Sequence, residues 1–172
     1  MPVRAAQPND IERLTTIWFD GWHDAHASIV PEALVRLRTR ENLRERLACE
    51  LDSVRVFGDP GAPVGFTMIR GDELYQFYVA ASARGTGVAV TLMKDAEAQL
   101  AARGIAKPWL ACAVGNVRAA RFYEKSGWRR AAVVTIESET SDGPLPLEVW
   151  RYEKELTRTP GAPAERIAGG QL

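Results

Sequence analysis

A short run of small residues in the middle of the chain could bind phosphate: Arg84, Gly85, Thr86, Gly87, Val88 and Ala89. It follows a strand-like stretch, residues 74–79, and precedes a stretch in which apolar residues recur at helical spacing from residue 88 to residue 100. A strand that turns through glycines into a helix presents free backbone N–H groups, together with the positive end of the helix dipole, to one point. The pattern therefore predicts a phosphate site where the helix begins.

Two nucleotide-binding loops do not fit this run. A Walker loop ends in Gly-Lys-Ser/Thr, so that a lysine reaches the outer phosphates, whereas Gly87 is followed by Val88 and Ala89. A dinucleotide-binding loop needs a third glycine, where this chain has Val90, and an acidic residue about 20 positions on, where it has Lys107. A nicotinamide-dependent oxidoreductase is therefore disfavoured.

A second motif lies at residues 116–128. Asn116 follows a glycine and suits a helix N-cap, while Gly127 suits the position after a helix end, so a helix of about three turns is predicted between them. Asn116 and Tyr123 are separated by about two turns and share a face with Ala119 and Ala120. Small alanines beside the Tyr123 hydroxyl would leave a channel wall; the competing interpretation is that Tyr123 is a half-buried packing residue.

Together the two motifs resemble the GCN5-related N-acetyltransferase (GNAT) superfamily. Residues 84–89 are similar to its Gln/Arg-x-x-Gly-x-Gly/Ala signature, and residues 116–128 to its Asn-x-x-Ala-x-x-Phe-Tyr-x-x-x-Gly-Phe segment, with Trp128 in the final position. A strand-like run, residues 109–114, lies between them. The resemblance covers about residues 1–156, and its specific motifs are confined to residues 79–128.

The resemblance implies a site for acetyl-CoA between two splayed parallel strands, residues 74–79 and 109–114. The pyrophosphate would bind the N–H groups of residues 84–89, the pantetheine would pair with the backbone near Val79, and Asn116 would fix the turn or a pantetheine amide. The acetyl group would pass directly to a primary amine, without a covalent intermediate and without a metal. A backbone N–H near Val79 would stabilise the carbonyl oxygen, and Tyr123 would protonate the departing thiolate.

The amine must lose a proton before it attacks, and Glu73 is the carboxylate best placed to take it. Because Glu73 precedes Val79 by six residues, strand alternation would put both side chains on one face. The alternative is an exposed turn residue, in which case a chain of water molecules would carry the proton.

The acceptor site is predicted at the end of the first helix, where Trp22, His23 and His26 precede a loop. Either histidine could serve as the base, because the unperturbed pKa of histidine is near 6.5; the competing interpretation is a surface or structural role. Glu137 and Glu139 alternate along a late strand and are a further source of negative charge, unless they form a solvated strand face.

Pattern and turn signals predict the element order β-α-α-β-β-β-α-β-α-β-β, with a second helix running from about residue 31 through Leu47. This order indicates a single α/β domain, residues 1–156, built on a mixed sheet that is flanked by helices and has splayed central strands. Residues 157–172 read as a C-terminal tail.

Composition narrows the function further. The 22 basic and 22 acidic side chains leave no net charge, so neither nucleic acid nor a membrane is expected as a partner. No apolar run of transmembrane length and no signal-peptide pattern is visible, and Cys49 and Cys112 lack metal-ligand spacing, so we expect a cytoplasmic protein with free thiols. A homodimer stays an open alternative.

Three functional questions stay open at this level. The chain could bind or sense acyl-CoA without turnover, or it could transfer a different acyl group. The acceptor could be a small amine, an amino-acid-like antibiotic or a protein N-terminus.

Overall fold

The strands of the chain form one seven-stranded sheet, against which the helices pack. The computed structural model describes residues 2–157. The strands are β1 (Val3–Ala5), β2 (Val54–Asp59), β3 (Ala62–Arg70), β4 (Glu73–Val79), β5 (Trp109–Ala113), β6 (Arg129–Ser138) and β7 (Leu145–Glu153). The helices are α1 (Ile11–His26), α2 (Glu32–Leu37), α3 (Arg40–Cys49), α4 (Val88–Ala102) and α5 (Val117–Lys125). Of the predicted tail only Thr157 falls within the described residues.

The sheet order is β1-β2-β3-β4-β5-β7-β6, and every neighbouring pair is antiparallel except β4 and β5. Two cores pack against it. The α1–α3 core contains Leu14, Trp18, Leu34, Leu43, Leu47, Phe66 and Met68. The α4–α5 core contains Met93, Ala96, Leu100, Leu110, Ala120 and Tyr152. The predicted mixed α/β sheet between helices is confirmed.

The predicted second helix is two helices, α2 and α3. Arg38 leaves helical geometry, with φ −86° and ψ 68°, and Thr39 caps α3 by accepting a hydrogen bond from the backbone N–H of Asn42. At this break the Arg38 guanidinium donates to the carbonyl of Glu139, beyond β6. Leu34 and Leu43 are nine positions apart and would lie on opposite faces of a single helix, so the change of phase marked the break that the prediction missed.

The parallel strands β4 and β5 separate almost at once. Within the described part of the chain, Glu73 and Trp109 are the only two residues that pair between these strands. Beyond this pair the strands diverge, and a gap opens between them toward Val79. The splayed central strands expected from the sequence are present.

A bulge in β4 changes which side chains face which core. Gln76 pairs with Met68 of β3 and Leu74 pairs with Ile69, so Tyr75 is an extra residue. As a result Leu74 packs in the α4–α5 core, whereas Tyr75 and Gln76 both reach the α1–α3 side. An uninterrupted strand would alternate instead.

Candidate active site

The glycine turn at residues 84–89 has the backbone geometry that the predicted phosphate site requires. Gly85 and Gly87 have φ of 76° and 89°, and α4 begins directly after Gly87. A Cβ built on either glycine meets no heavy atom within 4 Å, so the turn needs glycine for its torsions and leaves open space beside it. Among the described residues, the backbone N–H groups of residues 85–90 have no hydrogen-bond partner. They are free to bind an anion.

Helix α5 positions the tyrosine. The Asn116 side chain caps the helix by accepting from the N–H of Ala119 at 3.3 Å. At the other end Gly127 has φ 87°, and the N–H of Trp128 donates to the Tyr123 carbonyl, which is a Schellman closure. Both predicted helix ends are therefore confirmed. Burial raises the pKa of Tyr123, so its hydroxyl keeps its proton at neutral pH.

A cleft of about 300 Å³ brings the two motifs together. Predicted residues that line it are Val79, Arg84, Gly85, Ala89, Asn116 and Tyr123. Val88 turns inward and packs with Ala83 and Leu92, so only its backbone can serve the site. Because the N–H of Ala80 donates to Val64 of β3, the preceding N–H, that of Val79, points toward the opposite edge, where β5 has diverged.

An ion-pair cluster that sequence reasoning missed joins α1 to this cleft. Asp24 Oδ2 lies 3.2 Å from Arg84 Nη1 and 2.7 Å from Arg118 Nη2. The hydrogen bond from Arg118 lowers the pKa of Asp24. The two arginines line the cleft, but their partner is 60 or more positions away along the chain, and no sequence signal connected them.

A second pocket of about 250 Å³ is lined by α1, by the α2–α3 segment and by the end of β6. It contains Glu73, Glu137 and Glu139, and it shares five residues with the cleft: His26, Tyr75, Gln76, Tyr78 and Ala111. The shared residues include members of both β4 and β5, so the gap between these strands connects the two pockets.

Glu73 lies in the second pocket, while Val79 lines the cleft. The expectation that both side chains share a face was wrong, because the bulge at Tyr75 shifts the alternation between them. Glu73 is half-buried, and burial raises the pKa of its carboxyl to about 7, although Arg70 acts to lower it. A carboxylate that titrates near neutral pH can accept a proton from an amine.

The three residues predicted at the acceptor mouth have different surroundings. Trp22 is buried in the α1–α3 core and lines the second pocket. His26 lines both pockets; its Nδ1 lies 2.8 Å from the Trp22 carbonyl and must donate to it, which leaves Nε2 without a proton in the neutral ring. Desolvation lowers the pKa of His26, so this ring is neutral at pH 7. His23 lines neither pocket and donates from Nε2 to the Arg38 carbonyl at 2.8 Å.

Both cysteines are free, as predicted, and Cys112 is buried beside the cleft, where burial raises the pKa of its thiol to about 12. Such a thiol is not a nucleophile at neutral pH. Within residues 2–157 no group of three or more His, Cys, Asp or Glu side chains could hold a metal ion. No helix in that range is long and apolar enough to cross a membrane.

Residues 12–128 match the model of the acetyltransferase (GNAT) family, so the chain belongs to this family. An uncharacterized N-acetyltransferase of Mycobacterium tuberculosis is 40% identical over 74 residues, which is 40% of this chain. The match spans about half, 47%, of that curated relative.

Two solved structures share the fold. A GCN5-related N-acetyltransferase from Rhodopseudomonas palustris superposes with a TM-score of 0.70 at 21% identity, covering 90% of this chain and 94% of that one. The paiA N-acetyltransferase from Thermoplasma acidophilum, solved in complex with coenzyme A, gives 0.67 at 20% identity, covering 90% and 98%.

Proposed function

We propose that this protein transfers the acetyl group of acetyl-CoA directly to a primary amine. The observation that carries the proposal is the gap between β4 and β5, which joins two pockets of different character. One pocket offers unpaired N–H groups at a helix start, as a phosphate-bearing donor needs. The other offers a carboxylate that titrates near neutral pH, as an amine acceptor needs.

The donor side follows from the backbone. The N–H groups of residues 85–90 bind the pyrophosphate, and the free edge of β4 near Val79 pairs with the pantetheine amides. Asn116 uses its Oδ1 in the helix cap, which leaves its amide nitrogen to donate to the donor substrate. Family membership and the coenzyme A complex of the paiA N-acetyltransferase support this assignment.

In the transfer step the amine nitrogen bonds to the thioester carbon and the carbon–sulfur bond breaks. The N–H of Val79 stabilises the negative charge that develops on the carbonyl oxygen, because it faces the gap without a partner in the sheet. Tyr123 gives its proton to the leaving thiolate, which ends as the thiol of CoA, and the proton that the nitrogen loses as the amide forms returns to Tyr123. No covalent bond to the protein forms.

Glu73 takes the proton that the ammonium group must lose before attack. His26 Nε2 is the second group that can accept this proton, since it is unprotonated in the neutral ring and lines both pockets. If neither residue accepts it, water in the second pocket carries it to solvent.

The test has two measurements. Acetyl-CoA should raise the melting temperature, and a panel of primary amines should release free CoA from acetyl-CoA with at least one acceptor. A melting shift without turnover on any amine would favour an acyl-CoA sensor, and a larger shift with another acyl-CoA would favour a different acyl donor. An equal shift with NADH would contradict the donor site.

A further inference from the structure

The second pocket contains two guanidinium groups whose charge no described carboxylate balances directly. Arg38 is only 4% exposed. Its guanidinium donates to the Glu139 carbonyl and, at 2.8 Å, to Ser138 Oγ, both of which are uncharged. Its Nε is buried and has no hydrogen-bond partner among the described residues.

Arg46 is the second of these groups. It donates to the Tyr75 hydroxyl, and its guanidinium lies 4.8 Å from the centre of the Trp18 ring. Its Nε is also buried without a partner in the described part of the chain. Both arginines line the second pocket.

The two arginines are close enough to repel each other. Burial and the charge of Arg46 lower the pKa of Arg38 to about 10, so Arg38 remains charged at neutral pH. Glu139 also lines this pocket, but its carboxylate forms an ion pair with Arg70, with 3.1 Å between Glu139 Oε1 and Arg70 Nη1. A buried guanidinium beside a second, half-buried one is costly unless an anion joins them, and a guanidinium fork matches an oxyacid anion well.

We propose that the acceptor is an amino-acid-like amine, whose carboxylate binds Arg38 and Arg46 while its amine enters the gap between β4 and β5. This proposal rests on the proposed acetyl transfer. The pocket opens into the gap at Gln76 and Ala111, so an acceptor anchored by its carboxylate presents the amine to the thioester.

The remaining walls define the rest of the acceptor. They are mixed, with polar side chains that include Glu73, Glu137 and Glu139. The apolar and aromatic part includes Trp18, Trp22, Leu34, Trp109, Ile136 and Leu147. With a volume of about 250 Å³, the pocket accommodates a free amino acid with an apolar side chain.

The experiment compares matched acceptors by CoA release. One set is L-leucine, L-leucinamide and 3-methylbutylamine; the other is L-phenylalanine, L-phenylalaninamide and phenethylamine. Within each set only the carboxylate is removed or masked. We expect kcat/KM for at least one amino acid to exceed that of its amide and amine by roughly tenfold or more, as a charge-assisted hydrogen bond implies. O-phosphoethanolamine tests whether the anion is a phosphate instead.

Variants test whether Arg46 causes the preference for an acceptor with a carboxylate. Arg46→Gln should reduce the preference for the amino acid over its amide by roughly tenfold, measured as the ratio of the two kcat/KM values in the same variant. Arg44→Gln is the matched control, because Arg44 lies on the same helix but pairs with Glu12 on the exposed surface. It should leave the preference intact.

The outcomes separate the two proposals. An amide or simple amine that reacts as well as its amino acid, a preference for O-phosphoethanolamine, or an unchanged preference in Arg46→Gln overturns the carboxylate site while acetyl transfer stands. No turnover in either set also overturns it, and the acetyl-CoA melting shift then reports separately on the donor site. Absence of both the shift and all turnover contradicts the proposed function itself.

Discussion

Glu73 of β4 lies opposite Trp109 of β5, at the closed end of the gap between the two strands. The backbone N–H of Trp109 donates to the Asp72 carbonyl at 3.2 Å, and its indole N–H donates to the Asp72 carboxylate at 3.1 Å. Two hydrogen bonds therefore clamp the turn before β4 to the start of β5. The gap can open only away from this clamp, toward Val79 and the glycine turn.

Replacing Tyr123 by phenylalanine should lower kcat by roughly 100-fold with little change in the affinity for acetyl-CoA. The hydroxyl is removed from a ring that otherwise packs unchanged against Phe77 and Tyr152. Steady-state kinetics and a binding titration measure the two quantities. An unchanged kcat, when chemistry limits the rate, would exclude Tyr123 as the acid.

A valine at Gly87 should abolish most of the stabilisation by acetyl-CoA. At a hundredfold excess over Kd a ligand adds about 2.7 kcal/mol to the free energy of unfolding. This corresponds to a melting shift of roughly 5–11 °C for a domain of this size. Dephospho-CoA should keep most of the shift.

Gly104→Val is the matched control for this variant. Gly104 follows the other end of α4 with φ 78° and open space around it, so the torsional cost is similar but the phosphate site is untouched. Its melting shift with acetyl-CoA should be normal. A normal shift in Gly87→Val as well would argue against this turn as the phosphate site.

Activity should rise with pH through about 7 if Glu73 is the base, because its carboxyl must be ionised to accept a proton. Glu73→Gln should lower kcat/KM and remove this limb, leaving only the ionisation of the amine itself. A pH profile of kcat/KM for both proteins measures the difference. If the limb near pH 7 persists in Glu73→Gln, His26 or water takes the proton.

The raised pKa of Glu73 also predicts how the stability of the protein depends on pH. Its folded pKa of about 7 lies above its ordinary value of 4.5, so the folded state binds more protons between these values. The contribution of Glu73 to stability therefore falls as pH rises from 4.5 to 7. The melting temperature of Glu73→Gln relative to the unmodified protein should be higher at pH 8 than at pH 4.5, and an equal difference at both would contradict the raised pKa.

Asp24→Asn should strengthen acetyl-CoA binding by about two- to five-fold, because an exposed ion pair of this kind contributes up to about 1 kcal/mol. Without the charge of Asp24, both Arg84 and Arg118 become available to the phosphates. Asp20→Asn on the same helix is the control, since Asp20 pairs with Arg40 instead. Weaker binding in Asp24→Asn would mean that the ion pairs hold the arginines in place for the ligand.

His26→Ala should raise the KM for the amine by roughly tenfold, since it removes a polar group from the second pocket. His23→Ala should instead lower the melting temperature by a few degrees, because it loses the hydrogen bond to Arg38. Amine kinetics and thermal unfolding separate the two effects. The reverse pattern would show that His23 is the acceptor residue.

The glycine turn and the α5 helix, on which the proposed donor site depends, could be predicted from the sequence because they arise from local motifs. The glycines at residues 85 and 87 and the cap at Asn116 set the backbone through their own torsions and hydrogen bonds. These turns and caps depend on residues only a few positions apart, and the structure has them at the positions that the pattern indicated.

The proposed acceptor pocket was predicted only in part. Five of its lining residues were named from the sequence: Trp22, His26, Glu73, Glu137 and Glu139. Arg38 and Arg46 were not, because their place in the pocket depends on contacts between distant residues. Arg38 interacts with Glu139 about 100 positions away, and the leucines around it indicate only a helix. One local signal for a buried Arg38 was present in the sequence. Arg38 follows Leu34 by one helical turn and so occupies a position on the apolar face. An arginine there is expensive to bury and so marks a specific contact.

The extra residue at Tyr75 also makes the length of β4 matter as much as its composition. Deleting one residue at the bulge would restore regular alternation along the strand, so either the hairpin with β3 must slip or the preceding side chains must exchange faces. In the second case Glu73 would enter the α4–α5 core and Leu74 would enter the polar pocket. Insertions and deletions in this short strand should therefore be tolerated less well than conservative substitutions. A library of length variants would test whether the number of residues in β4 is fixed.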